Sequence, residues 1–144
     1  MTKHTIKRIT FIGECRSLTA IRKGWSWIDG RLAAKPLFEA LAAMGIDPTA
    51  HEFINLFTDP PITRRHLKGW RPKVQDGLAA SLKTCAKVRI YVALGQRVSR
   101  ELTRLGIDHV ALVHPAARGR IRLRRRYIKH VQDTLGPVLK VRTK

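Results

Sequence analysis

Acidic residues are scarce in this chain. Its 144 residues hold 10 Asp and Glu against 29 Lys and Arg, a formal charge of +19 at neutral pH. So large an excess costs self-repulsion in a small folded molecule. DNA or RNA offsets that cost, because Lys and Arg release condensed counterions when they neutralise phosphates. A solubilising surface, an anionic membrane and an acidic protein partner are the competing uses. No lipid anchor or basic amphipathic terminus accompanies the charge, and nucleic acid is the partner expected.

Cysteine is nearly absent too. Cys15 and Cys85 are the only two, too few for a disulfide framework or a four-thiolate metal centre. Long apolar runs are missing: Val110–Val113 is among the longest, against the ~20 residues that span a bilayer. The opening Met1-Thr2-Lys3-His4-Thr5-Ile6-Lys7-Arg8 has no apolar stretch, so no secretory signal is expected. Internal repeats, low-complexity tracts, a Gly-rich phosphate loop, a Ser/His/Asp set and a metal-ligand cluster are likewise not seen. These absences lead us to expect a cytoplasmic, reduced, nucleic-acid-associated protein without membrane, metal or cofactor.

What is present is a foldable pattern. Apolar residues make up 44% of the chain, which argues against a disordered basic tail and for one domain over residues 1–144. Ile9–Gly13, Phe53–Phe57, Arg89–Leu94 and His109–Val113 read as buried strands. Helical spacing covers Arg31–Met44, Pro72 to about Lys87, Gln96–Leu105, and about Arg120 to Leu135 before Gly136-Pro137. Apolar strands alternating with helices indicate an α/β sandwich around a parallel sheet. In such folds function gathers at the carboxyl ends of the strands. The segments there are Gly13-Glu14-Cys15-Arg16-Ser17, Thr58-Asp59, Gly95-Gln96 and His114-Pro115-Ala116-Ala117-Arg118.

The last helix carries the clearest physical signal. Leu123, Tyr127, Ile128, Val131 and Leu135 form an apolar stripe, while Arg122, Arg125, Arg126 and Lys129 share another face. Arg118 and Arg120 extend that cluster into the preceding loop. A solvated face ordinarily interleaves acids with its cations; here none is interleaved, and a binding face is expected. A second basic segment contains Arg64, Arg65, Lys68, Trp70 and Arg71. Its tryptophan either stacks on a base or pins the loop to the core. Arg22-Lys23-Gly24-Trp25-Ser26-Trp27 has the same two-sided character.

Candidates for chemistry are few. Glu14 follows a strand, Asn55 lies within one, and His114 ends another. A carboxylate, an amide and an imidazole together can read a base edge and stabilise a departing anion. Each also has a plain structural use: an ion pair with Arg16, a backbone hydrogen bond, a strand end.

At these residues the chain resembles the uracil-DNA glycosylase superfamily. Phe11-Ile12-Gly13-Glu14-Cys15-Arg16-Ser17 is similar to the first motif of its thermophile-type branch, a strand followed by Gly-Glu-Ala-Pro-Gly. Leu41 to Asp47 resembles the end of the helix that follows. Phe53-Ile54-Asn55 is similar to Ile-Thr-Asn, whose Asn reads flipped uracil, and Val92-Ala93-Leu94-Gly95 to the Ala-Leu-Gly strand. Val113-His114-Pro115-Ala116-Ala117 resembles the second motif, His-Pro-Ser, whose His stabilises the departing uracil anion. The resemblance covers most of the chain in order. It implies a three-layer sandwich, a four-stranded parallel sheet with helices on both faces, and a DNA-facing groove at the strand ends. It also implies a base pocket at Asn55, with Trp27 near the place of the aromatic that stacks on uracil.

The departures are specific. Arg16 stands where the family has Pro, Ser17 where it has Gly, and His-Pro-Ser has become His-Pro-Ala. Two cysteines cannot build the branch's four-cysteine iron–sulfur cluster. Arg16 is expected to pair with Glu14 and to disfavour a cationic sugar beside it. Two readings follow from the resemblance. In the first, a glycosylase-like fold binds DNA, double-stranded over single-stranded, through phosphate contacts by Arg16 and the basic segments; it has lost catalysis and reads little sequence. In the second, an active enzyme flips uracil out and cleaves its N-glycosidic bond. Glu14 then acts on water or the sugar, Asn55 on the base and His114 on the leaving anion, with the Ala117–Arg120 loop pressing into the duplex.

Overall fold

A strand buried on both sides belongs in the middle of a covered sheet. In the computed structural model of the protein, which describes residues 8–30, 34–60, 71–115 and 124–139, β1 is Arg8–Gly13 and is buried from Ile9 onward. Ile9 and Phe11 point into one apolar cluster and Ile12 into another. β2 (Glu52–Asn55), β3 (Arg89–Leu94) and β4 (Val110–Leu112) complete a four-stranded sheet of order β2-β1-β3-β4. Every pairing is parallel, with Gly13 opposite Asn55 and Leu94 opposite Leu112.

Five helices are described: α1 (Leu18–Lys23), α2 (Ala34–Ala43), α3 (Leu78–Cys85), α4 (Gln96–Arg104) and α5 (Arg124–Leu139). Leu37 and Leu41 of α2 and Tyr127, Val131 and Leu135 of α5 pack on Phe11, Val92 and Leu94. Leu82 of α3 and Val98 and Leu102 of α4 pack on Ile12, Tyr91 and Ala93 across the sheet. The molecule is therefore three-layered, an α/β sandwich around an all-parallel sheet. Each such side chain taken from water contributes about 1.5–3 kcal/mol, before the entropy of ordering it.

Several boundaries differ from the sequence reading by a residue, β4 being shorter than His109–Val113 by one at each end, and three larger differences have a visible cause. The second strand ends at Asn55 instead of Phe57, although Leu56 and Phe57 still donate to Gly13 O (2.8 Å) and Glu14 O (2.9 Å). On their other side they meet an extended segment: Gln75 N–H donates to Leu56 O (3.0 Å) and Thr58 N–H to Lys73 O (2.8 Å). That antiparallel contact holds Pro72 to Gln75 out of the helix, which starts only at Leu78. Val74 reaches the core from this extended segment, so its place in the helical spacing misleads. α5 runs past Gly136-Pro137 to Leu139, because Leu139 is buried and that burial offsets the backbone bond Pro137 cannot make. Of the helix read as Arg31–Met44, the part from Ala34 to Ala43 is described; residues 31–33 and 120–123 lie outside the described residues.

α5 also grips the end of the sheet. His130 Nε2 accepts from Val113 N–H at 2.9 Å, and the Tyr127 hydroxyl donates to Val113 O at 2.9 Å.

Candidate functional site

The carboxyl ends of the strands bring Glu14, Cys15 and Arg16 after β1 to the same edge as Asn55 of β2, Gly95 after β3 and His114 after β4. Each is placed by the apolar strand before it. The side chains of Trp27 and Asn55 close over position 13, leaving room for glycine alone. A Cβ on Gly13 would lie 2.6 Å from Trp27 Cζ2 and 2.8 Å from Asn55 Oδ1. Trp27 comes from a short 3-10 turn, Trp27–Asp29, pinned by Ser26 N–H donating to Asp29 Oδ2 at 2.7 Å. Its indole N–H donates to Asn55 Oδ1 at 2.7 Å, and its ring stacks on Phe53, centroids 6.0 Å apart.

Sequence reasoning placed Asn55 and Trp27 in one pocket; the structure brings them together and into contact with each other. The indole fills the space above Gly13. Open hollows remain on either side of Asn55. One of about 370 Å³ is lined by Arg16, Trp27, Ile28, His51 and Phe53. The other, about 430 Å³, is lined by Arg16, Thr58, Asp59 and Gln75.

The expected Arg16–Glu14 pair does not form. Arg16 grips Asp59 instead, with Nη2 at 2.6 Å and Nε at 3.0 Å from Oδ2, and its backbone N–H donating to Oδ1 at 3.2 Å. The reason is the parallel run of Leu56 and Phe57 beside Gly13 and Glu14, which delivers Asp59 to Arg16. Glu14 accepts from Arg97 Nη1 at 2.8 Å. Both pairs are partly solvated, so they orient side chains more than they stabilise the fold. Between them the Cys15 thiol is pushed up to about 11, by burial first and then by the carboxylates of Glu14 and Asp59. That holds it protonated at neutral pH.

His114 packs against Gly95, where a Cβ would lie 3.3 Å from the His114 Cβ. Burial lowers the His114 pKa below its usual 6.5, and the Glu14 carboxylate opposes that shift less strongly. The imidazole is therefore neutral at pH 7.

The basic surface differs from expectation in two respects. Arg125, Arg126 and Lys129 are exposed on α5, yet Lys129 pairs with Asp133 at 3.2 Å, so an acid does interleave that face. Arg124 turns towards α2 and pairs with Glu39. A second basic helix escaped the sequence reading. Arg97, Arg100 and Arg104 of α4 are exposed on the side away from buried Val98 and Leu102. Their spacing of three and four residues was the available signal. Arg71 is exposed; Arg64, Arg65, Lys68, Trp70, Arg118, Arg120, Arg122 and the Ala117–Arg120 loop lie outside the described residues. At the other end of the sheet, Ser99 Oγ and His109 Nε2 lie 2.7 Å apart, tying α4 to the loop before β4.

No protein-family model matches this chain, and no curated protein matches it. Its chemistry rests on its own geometry. Among the described residues no group of three or more His, Cys, Asp or Glu is arranged to hold a metal ion, and no helix is long and apolar enough to cross a membrane.

Proposed function

We propose that this protein binds DNA through phosphate contacts, with little sequence preference, on a uracil-DNA glycosylase-like fold whose base-excising activity is lost. The observation that carries the loss is the Trp27–Asn55 contact. The amide that would read an extruded base has its oxygen occupied by an indole N–H, and the indole itself fills the space above Gly13. The formal charge of +19 and the exposed Arg residues of α4 and α5 supply the affinity. Contacts of that kind fix position on the duplex and carry no base information.

One observation favours a second reading, an active glycosylase. Glu14, Asn55 and His114 converge on one edge of the sheet, and the neutral His114 suits donation to a departing base anion. That reaction requires Trp27 to leave Asn55 before a base can enter.

The test uses a labelled duplex containing one uracil and its thymine-paired control. Binding and base release are followed across a salt series. The proposed function expects equal affinity for both duplexes, a log–log salt slope of about −0.9 per phosphate contact, and no abasic product at saturating protein. Abasic product that vanishes in Glu14→Gln or His114→Ala establishes the enzyme instead. Absence of binding at low salt removes both readings.

A further inference from the structure

The basic helices α4 and α5 lie on opposite sides of the sheet. α5 packs with α2 on the face formed by Phe11, Val92 and Leu94, and α4 packs with α3 on the face formed by Ile12, Tyr91 and Ala93. Each therefore turns its cations outward in the opposite direction. On one outer surface stand Arg125, Arg126 and Lys129, with Asp133 as the acid among them. On the other stand Arg97, Arg100 and Arg104, with Lys83 and Lys87 exposed in the same layer. Arg97 is paired with Glu14, and Arg104 with Glu101, the one acid in α3 and α4, which leaves Arg100 and the two lysines as the excess on this side. Neither surface neutralises the other.

We propose that the protein holds two DNA segments at once, one on each outer face, and so bridges them. The inference rests on the DNA-binding reading above and adds a valency to it. The argument is geometric. Packed layers lie about 10 Å apart, and helices with side chains are about 10–12 Å thick, so the two outer surfaces are separated by about 30 Å. Duplex DNA has a persistence length of about 150 base pairs and does not fold around a slab of that thickness to touch both sides. A single segment satisfies one face and leaves the other's excess positive charge facing solvent. A second segment matches it.

The experiment immobilises one duplex on beads and measures capture of a second, fluorescent duplex as the protein is added. Binding to a single free duplex is measured in parallel by anisotropy, and the state of association by sedimentation. Two charge reversals are compared: Arg100→Glu with Arg104→Glu on α4, and Arg125→Glu with Arg126→Glu on α5. Wild-type protein is expected to capture the second duplex. Either reversal is expected to cut capture by about tenfold or more. Single-duplex binding should persist, weakened, because the unaltered face still takes one segment.

Three results overturn the inference: wild-type binding of a single duplex without capture of a second, capture that persists when one face is reversed, or capture that tracks self-association in sedimentation. Absence of single-duplex binding by wild-type protein is a different failure, that of the DNA reading itself.

Discussion

Gly13 is the tightest point of the site, where a backbone without a side chain lets an indole lie across the end of β1. Substitution by Ala places a methyl group 2.6 Å from the Trp27 ring, which something must yield to accommodate. We expect Gly13→Ala to destabilise the fold by about 1–3 kcal/mol, read as a lowered urea midpoint at unchanged slope. Combining it with Trp27→Ala should make the pair less than additive, since the ring it strikes is gone. Histidines give a second prediction at this scale. Burial lowers the pKa of His51, His114 and His130 below 6.5 in the fold. The unfolded chain then binds protons first as the pH drops, so their contribution is full above about pH 7 and is lost as pH falls through 6.5 towards the folded values. Melting temperature should be lower at about pH 5.5 than at about pH 7.5. His130→Gln, which keeps an acceptor for Val113 N–H, should flatten that dependence; an unchanged slope would clear His130 of it. Among single residues, the positions of Glu14 and His114 at strand ends were legible because each follows an apolar run, whereas Asn55, read inside its strand, is the last residue of β2. Their partners were not: Arg16 meets Asp59 and Glu14 meets Arg97 across long stretches of chain, and nothing local announces either pair.

Elements were most legible where burial alone dictates them. β3 has the bounds read from its apolar run, and the helix read as Gln96–Leu105 ends one residue earlier in the structure. Where a neighbour decides the backbone, the pattern failed. The extended Pro72 to Gln75 segment is held by Leu56 and Thr58, not by its own spacing. α1 was missed although Ser17 accepts from Ala20 N–H at 3.2 Å as its N-cap and Gly24 ends it. The last turn of α5 shows tertiary packing overruling a local stop signal. Leu139→Ala should cost about 2–3 kcal/mol, near the lower end for a buried leucine, because it lies at a helix end. A change within about 0.5 kcal/mol in denaturant unfolding would show that the turn beyond Pro137 contributes little.

At the scale of the whole molecule the charge dominates. Its cations were countable from the sequence, but their division between two opposite faces was not, because that needs the packing of α4 and α5. Self-repulsion among them weakens the compact state and is screened by salt. Raising NaCl from about 20 mM to about 300 mM should increase the melting temperature by a few degrees, where about 1 kcal/mol corresponds to roughly 2–8 °C in domains of this general size. A short duplex should raise it further at low salt by binding the folded form alone. A melting temperature that falls with salt would mean that the ion pairs together outweigh the repulsion.

The grip of α5 on Val113 has a consequence for crowding at high protein concentration. β4 is an edge strand, and Gly95 N–H already bonds Leu112 O on its inner side. The alternation of a strand turns the next residue's N–H and C=O outward, where a strand from another molecule would pair with them. His130 and Tyr127 occupy both. The position just past β4 is thus closed to strand pairing by side chains of the final helix. The N–H half of that closure depends on an unprotonated imidazole, so acidification should free Val113 N–H while Tyr127 still holds Val113 O.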